Sequence, residues 1–142
     1  MKILFSQLIE ELQDLDDIAQ KVLPHLADVT TFALCGALGS GKTAFTRSLL
    51  HAMGSADAVS SPSFVLQHEY KSAEGRTIEH WDLYRLKSLP AELAEPAEDN
   101  ALRIIEWADK FQEVLNASEL ILEIEFPLSD SQKRVFKLSA LD

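Results

Sequence analysis

Hydrophobic residues recur along the chain with two different periods, and the changes of period divide it into helices and strands. Residues 2–8 predict a short first strand. A stripe with a spacing of three or four residues then predicts a helix, for which Asp14 is a plausible N-cap residue. The members of this stripe are Leu15, Ile18, Ala19, Val22, Leu23 and Leu26.

A strand, a glycine-rich loop and a second helix follow in direct succession. Residues 31–35 are mostly apolar and have the length of a strand. Residues 44–50 carry apolar side chains at helical spacing, and Gly54 is a helix stop signal. The loop between the two elements spans residues 36–43.

The remainder of the chain consists mainly of predicted strands. These strands cover residues 64–70, 77–82, 101–106, 120–126 and 133–138, with turns at 73–76 and 129–131. A short helix near 91–95 and a helix over 108–115 are also predicted. Antiparallel hairpins beside a strand–loop–helix unit indicate a mixed sheet. We therefore predict an α/β fold with three layers, a mixed parallel and antiparallel sheet, and the glycine-rich loop after the second strand.

Composition and charge limit the class of protein. The 142 residues, of which 46 % are hydrophobic and 25 % charged, predict one soluble domain over residues 1–142. No apolar window approaches the length of a membrane span. The single cysteine, Cys35, is interpreted as a buried filler, and a cytoplasmic location is predicted. A net charge of −10 disfavours direct, tight binding to nucleic acid but is compatible with a protein partner.

The glycine-rich loop fits the phosphate-binding pattern G-x-x-x-x-G-K-[ST] at every fixed position, as Gly36-Ala37-Leu38-Gly39-Ser40-Gly41-Lys42-Thr43. Its N–H groups can form a nest for phosphate, and the N-terminus of the next helix adds positive potential. The residues predicted to bind the nucleotide here are Leu38, Gly39, Ser40, Gly41, Lys42, Thr43 and Ala44. A glycine-rich turn without a ligand is the alternative, but it would make the Lys-Thr pair and both flanks coincidences.

Two carboxylates are candidates for the catalytic acid that hydrolysis requires. Glu106 ends the apolar strand over residues 101–106, which is the usual place of the Walker B acid, and Asp82 ends the strand over residues 77–82. In an extended backbone His80 and Asp82 share one face. The alternatives stay open at this point: Asp82 could cap a turn, and Glu106 could cap the helix that follows it.

Four motifs together resemble one family. They are the phosphate loop, Ser61-Pro62-Ser63-Phe64, His80-Trp81-Asp82-Leu83-Tyr84-Arg85 and Ile105-Glu106-Trp107. Their order is similar to that of the TsaE (YjeE) family, the small bacterial ATPase of tRNA threonylcarbamoyladenosine biosynthesis. The motifs run from residue 36 to 107. The chain departs from the family at Ser63, where threonine is usual, and at Trp81, where phenylalanine is frequent.

The resemblance implies ATP and Mg²⁺ as cofactors. It implies that Lys42 binds phosphate, and that Thr43 and Glu106 hold the metal ion. Asp82 would organise the catalytic water or the metal shell. The resemblance also places Trp107 near the nucleotide.

The resemblance further implies a switch-like loop and a shared surface. Ser61 and Ser63 would lie in the switch, near the γ-phosphate. Tyr84 and Arg85 would belong to the same functional surface as the nucleotide site.

The resemblance implies an ATPase that acts with the TsaD and TsaB proteins, and a monomer on its own is predicted. A small-molecule kinase is the second hypothesis, although the chain offers no acceptor region or arginine-rich lid. A non-catalytic nucleotide-binding module is a third. A guanine-specific switch is disfavoured because no N-K-x-D tetrapeptide occurs. The spacing of His25, His51 and His68 predicts no zinc site.

Overall fold

A mixed β-sheet runs through the middle of the molecule, in a computed structural model that describes residues 1–11, 13–55, 67–127 and 132–142. Within these residues seven strands follow the order β1-β7-β6-β2-β5-β4-β3. They are β1 Lys2–Ile9, β2 Thr31–Gly36, β3 Gln67–Lys71, β4 Thr77–Asp82, β5 Leu102–Glu106, β6 Leu120–Glu125 and β7 Arg134–Ala140. Strands β6, β2, β5 and β4 are parallel neighbours, and the remaining pairs are antiparallel. The predicted mixed sheet is confirmed.

Helices cover both faces of this sheet. They are α1 Asp14–Val22, α2 Lys42–Ala52, α3 Ala91–Ala94 and α4 Gln112–Ala117, with 3₁₀ turns at Leu23–His25 and Ala108–Lys110. Because side chains alternate along a strand, Phe32 and Leu34 pack with α1 and α2, whereas Ala33 packs with Ala108 and Val114 on the opposite face. Three layers result, as predicted. No helix in the described part of the chain is long and apolar enough to cross a membrane.

The first helix differs from the prediction at both ends. The residue at the N-cap position is Gln13, and Asp14 is already helical, so the N-cap prediction was wrong by one residue. The Asp14 carboxylate instead accepts a bond of 3.2 Å from the Glu11 N–H. The α-helix ends at Val22 because Pro24 has no N–H to continue it, and the chain tightens into a 3₁₀ turn.

The helix predicted over residues 108–115 is two separate elements. The 3₁₀ turn ends before Phe111, whose backbone is extended with φ −130° and ψ 116°, and α4 begins at Gln112. The extended residue lets the Phe111 ring pack on the cluster that contains Ala108 and Val114. A break of one residue preserves the apolar spacing, and for that reason the sequence pattern did not indicate it.

Parts of two predicted hairpins lie outside the described residues. The strand predicted over 64–70 corresponds to β3, which is described from Gln67 to Lys71 and pairs with β4 in the predicted antiparallel direction. Residues 64–66 and the turn predicted at 129–131 are not described. The turn between β3 and β4 contains Gly75 at φ +86°, a conformation that glycine adopts without strain.

Arg76 ties three segments together immediately before β4. Its Nε donates to the carbonyl oxygen of Asn100 at 2.6 Å. The two terminal nitrogens donate to the carbonyl oxygens of Leu26 at 2.8 Å and Val29 at 2.6 Å. The guanidinium therefore connects the segment after α1 with the segment before β5.

Replacing this arginine is expected to destabilise the fold. Hydrogen bonds from a charged donor contribute about 1.5–3 kcal/mol each, and water would replace part of them, so Arg76→Ala should lower the free energy of unfolding by about 2–4 kcal/mol. Arg47→Ala, on an exposed position of α2, is the matched control and should change it by less than about 0.5 kcal/mol. Urea denaturation of both variants provides the measurement. Equal stability of the two variants would contradict the role of Arg76.

Candidate functional site

The topology brings the ends of three strands to one edge of the sheet. Strands β2, β5 and β4 are parallel and adjacent, and their last residues are Gly36, Glu106 and Asp82. In the register of the sheet, Glu106 lies opposite both Leu34 and Asp82. Ligands of open α/β sheets bind at this carboxyl edge. Both candidate acids consequently lie beside the glycine-rich loop.

Backbone geometry explains why this loop needs its glycines. Gly39 and Gly41 have φ of +76° and +113°, which side chains rarely adopt. A Cβ atom on Gly36 would lie 2.8 Å from the carbonyl oxygen of Ile124 and 2.6 Å from Oγ of Ser40. Gly41 is also the N-cap residue of α2, so the free N–H groups of the first helical turn face the loop.

One cavity collects the predicted site residues. It has a volume of about 230 Å³ and is lined by Leu38, Gly39, Ser40, Gly41, Lys42, Thr43, Ala44, Asp82, Glu106 and Trp107. The structure thus brings together every nucleotide-binding, catalytic and metal-binding residue that the sequence predicted. Their chemical roles stay predictions. The predicted switch residues Ser61 and Ser63 lie outside the described residues.

Lys42 folds back onto its own loop. Its Nζ donates to the carbonyl oxygens of Gly36 at 2.6 Å and Ala37 at 3.1 Å, and it lies 3.9 Å from the ring centroid of Trp107. Burial lowers the pKa of Lys42, and the nearby Glu106 carboxylate opposes that change. Only 5 % of the residue is exposed, although Lys42 was predicted to bind phosphate. An anion that binds in the cavity through Lys42 would have to replace these carbonyl oxygens as hydrogen-bond acceptors of the ammonium group.

Aromatic rings form the wall beside Lys42. The ring of Trp107 lies 4.7 Å from that of Tyr84 at an angle of 56°. Lys110 stabilises the segment that carries Tyr84, because its Nζ donates to the carbonyl oxygens of Tyr84 at 2.5 Å and Leu86 at 2.9 Å. Tyr84 therefore contacts Trp107, which lines the cavity, and is not itself among the lining residues. Arg85, which the resemblance assigns to the same surface, is exposed and is not among the residues that line the cavity.

Thr43 and Glu106 meet across the cavity although 63 residues separate them. The threonine hydroxyl lies 3.0 Å from each carboxylate oxygen, and Nε2 of His80 lies 2.5 Å from Oε2. Adjacent ligands of an octahedral Mg²⁺ stand about 2.9 Å apart when each metal–oxygen bond is about 2.0–2.1 Å. This pair of oxygen donors therefore fits Mg²⁺. Within the described residues, the carboxylate of Glu106 makes no bond to the turn at 108–110, so its alternative role as a cap is not supported.

Asp82 both caps a turn and lines the cavity, two arrangements that were alternatives on the basis of the sequence. Its Oδ1 accepts a bond of 2.9 Å from the Tyr84 N–H, which is the turn-capping arrangement. It also lines the cavity with Lys42 and Glu106. Burial raises the pKa of Asp82, and the Glu106 carboxylate contributes in the same direction. A half-buried carboxylate with a raised pKa can accept hydrogen bonds from water in the cavity.

A second cavity adjoins the loop on its other side, and sequence reasoning missed it. It shares Gly39, Ser40 and Gly41 with the first cavity. Its remaining lining residues are Ile9, Glu10, Glu11, Leu15, Gln132, Arg134 and Phe136. These residues come from both ends of the chain, and only the pairing of β1 with β7 brings them together. No local motif marks such a site.

Cys35 differs in part from its interpretation as a buried filler. The side chain is only half-buried and lines a cleft with Trp107, Asp109 and Glu123. Burial, with the carboxylates of Asp109 and Glu123, raises the pKa of its thiol to about 12. A thiol that stays protonated at neutral pH is a poor nucleophile, so these surroundings do not support a catalytic role for Cys35.

Known proteins resemble this chain over most of its length. A family model described as threonylcarbamoyl adenosine biosynthesis protein TsaE matches residues 9–136. The tRNA threonylcarbamoyladenosine biosynthesis protein TsaE of Haemophilus influenzae is 37 % identical over 107 residues, which cover 72 % of this chain and 66 %, just under two thirds, of that protein. The protein of the same name from Aquifex aeolicus is 31 % identical over 137 residues, 95 % of this chain and 96 % of its own length.

The fold is also that of a solved structure. The crystal structure of Bacillus subtilis YdiB matches with a TM-score of 0.73 and 22 % sequence identity, and the match covers 100 % of this chain and 89 % of that one. At this identity the match supports the α/β architecture alone. The family model and the sequence relatives carry the assignment further. The chain belongs to the TsaE family.

Proposed function

We propose that this protein binds ATP with Mg²⁺ in the cavity beside the phosphate loop and hydrolyses it. The observation that carries the proposal is the contact between Thr43 and Glu106, whose side-chain oxygens lie close together beside Lys42 and are of the type that Mg²⁺ prefers. A phosphate loop alone accounts for binding, whereas hydrolysis needs such a second acid. The family relationship supports a role in forming threonylcarbamoyladenosine in tRNA.

Phosphate binding would use the loop and the start of α2. The N–H groups at the N-terminus of α2 would surround the phosphates, and Lys42 would exchange the carbonyl oxygens of Gly36 and Ala37 for phosphate oxygens. The second cavity, which contains apolar side chains of Leu15 and Phe136, supports a place for the nucleoside on the other side of the loop.

Hydrolysis would depend on the carboxylates at the ends of β4 and β5. Thr43 and Glu106 would hold Mg²⁺, which when bound neutralises charge that develops on the phosphate oxygens. Asp82 would accept a hydrogen bond from the attacking water and orient it. Because burial raises the pKa of Asp82, its ionised form is a stronger base than an ordinary aspartate.

The experiment compares phosphate release with phosphate transfer. Purified protein is incubated with ATP, with and without Mg²⁺, and with a panel of small-molecule acceptors. Release of inorganic phosphate that requires Mg²⁺ and no acceptor supports the ATPase. Transfer of phosphate from ATP to an acceptor would instead support the kinase hypothesis. Tight ATP binding without either product would support a non-catalytic module.

Partners are expected to raise the rate. We propose that the isolated chain hydrolyses ATP slowly and that the TsaD and TsaB proteins together stimulate it, whereas tRNA alone does not. The net charge of −10 supports the second part, because contacts with nucleic-acid phosphates normally use lysine and arginine. Steady-state hydrolysis is measured for the chain alone, with tRNA, with the two proteins, and with all of them. Full activity of the chain alone, or stimulation by tRNA without the proteins, would refute this dependence.

A further inference from the structure

A buried histidine contacts Glu106 from outside the cavity. His80 lies on β4 and has no exposed surface (0 %), and its Nε2 lies 2.5 Å from Oε2 of Glu106 on the neighbouring strand β5. An ionised carboxylate only accepts hydrogen bonds, so Nε2 carries the proton. Thr43, which lines the cavity, contacts the same carboxylate. Glu106 is therefore held between the phosphate-loop helix and the sheet.

The two carboxylate oxygens of Glu106 have different surroundings. Oε2 contacts both His80 and Thr43, whereas Oε1 has only Thr43 as a hydrogen-bond partner within the described parts of the chain. Glutamate has three rotatable side-chain bonds, and a hydrogen bond at one oxygen fixes the direction of the other. The contact with His80 consequently leaves Oε1 as the oxygen available to a cation beside Thr43.

The neighbouring buried position on this face of β4 carries an aliphatic side chain. Ile78, on the same face of β4, is fully buried and apolar. Burial of a polar ring costs free energy unless hydrogen bonds offset it. The other ring nitrogen, Nδ1, has no hydrogen-bond partner among residues 1–11, 13–55, 67–127 and 132–142. The bond to Glu106 is thus the property that distinguishes His80 from an aliphatic residue here.

We propose that His80 is a positioning residue that orients the carboxylate of Glu106 for Mg²⁺. This inference rests on the proposed function. A role as general base does not fit, because the ring is fully buried and is not among the residues that line the cavity beside Lys42. Partners that orient a metal ligand in this way typically contribute about 10- to 100-fold to metal affinity or activity.

The test separates metal binding from nucleotide binding. His80→Leu removes the donor, whereas His80→Gln keeps an amide N–H near the position of Nε2. Mn²⁺ binding is followed by electron paramagnetic resonance in the presence of a non-hydrolysable ATP analogue. We expect His80→Leu to bind Mn²⁺ at least about 10-fold more weakly, and His80→Gln to recover most of that loss. Affinity for the analogue in EDTA should stay within about threefold in both, because Lys42 and the loop are unchanged.

His51→Gln, on an exposed position of α2, is the matched control and should bind Mn²⁺ as the wild type does. Circular dichroism establishes folding; if His80→Leu is unfolded, His80→Asn replaces it, since its shorter amide does not reach Glu106. Wild-type Mn²⁺ affinity in His80→Leu, or in His80→Asn where that variant replaces it, would overturn the positioning role. A loss of Mn²⁺ affinity in His80→Gln as large as in that variant would overturn it too. A wild-type protein that binds neither analogue nor Mn²⁺ would instead overturn the proposed function.

Discussion

Replacement of Lys42 by alanine is expected to weaken ATP binding by at least about 100-fold while the domain stays folded. Hydrogen bonds from a charged donor contribute about 1.5–3 kcal/mol each, and the loss of two such bonds to phosphate corresponds to roughly two or more factors of ten. The hydrogen bonds of Lys42 also explain why the domain should stay folded without this side chain. Within the described residues, Nζ donates hydrogen bonds only to the loop carbonyl oxygens of Gly36 and Ala37, and water can replace it there.

Isothermal titration calorimetry with ATP measures the affinity, and thermal unfolding establishes that the variant is folded. Lys87→Ala, at an exposed position away from the cavity lining, is the matched control and should bind ATP with unchanged affinity. A folded Lys42→Ala protein with wild-type ATP affinity would remove the phosphate-binding role from this loop.

The sequence predicted the fold class because each signal is local. Alternation of apolar residues identified the strands, and the order strand–loop–helix identified β2, the phosphate loop and α2. The order of strands in the sheet could not be predicted. The pairing of β1 with β7 joins the two ends of the chain, for example Lys2 with Ala140, and no short pattern encodes a contact over that distance.

The site was predictable for a related reason. Seven of its residues are contiguous, from Leu38 to Ala44, and the two acids are the last residues of strands β4 and β5, whose carboxyl ends meet at one edge of the sheet. Side-chain orientation could not be predicted, because it depends on packing between distant segments. The sequence placed His80 on the face of Asp82 but did not show that its ring bonds Glu106. Nor did it show that Lys42 bonds its own loop and lies against Trp107.

The roles of Ser61 and Ser63 stay predictions, since both residues lie outside the described part of the chain. The monomeric state and the cytoplasmic location also stay predictions. By contrast, the three layers follow directly from alternation: Phe32 and Leu34 face one cluster and Ala33 the other. The physical difference is that alternation depends on the backbone alone, whereas a switch or an assembly depends on a ligand or a second chain.

Replacement of Glu106 is expected to have the largest effect on turnover. The alanine variant, Glu106→Ala, removes the oxygens proposed to bind the metal ion, but it also leaves Nε2 of the buried His80 without its acceptor. Glu106→Gln is the cleaner change, because the amide oxygen can still accept hydrogen bonds from Thr43 and His80 while the negative charge is lost. Comparing the two variants separates the charge of the carboxylate from its contribution to packing.

Both variants should lower Mg²⁺-dependent ATP hydrolysis by about 100- to 1,000-fold, the size of effect seen when one electrostatic contact to a transition state is removed. ATP affinity in EDTA should change by less than about threefold, because Lys42 and the loop N–H groups remain in place. Glu125→Gln, an exposed carboxylate on β6, is the matched control and should retain wild-type hydrolysis. The measurement is steady-state phosphate release, with calorimetry for binding. Asp82→Asn should also lower the rate of ATP hydrolysis. If Asp82→Asn lowers this rate while Glu106→Ala hydrolyses ATP normally, the metal-binding role at this edge of the sheet belongs to Asp82 instead of Glu106.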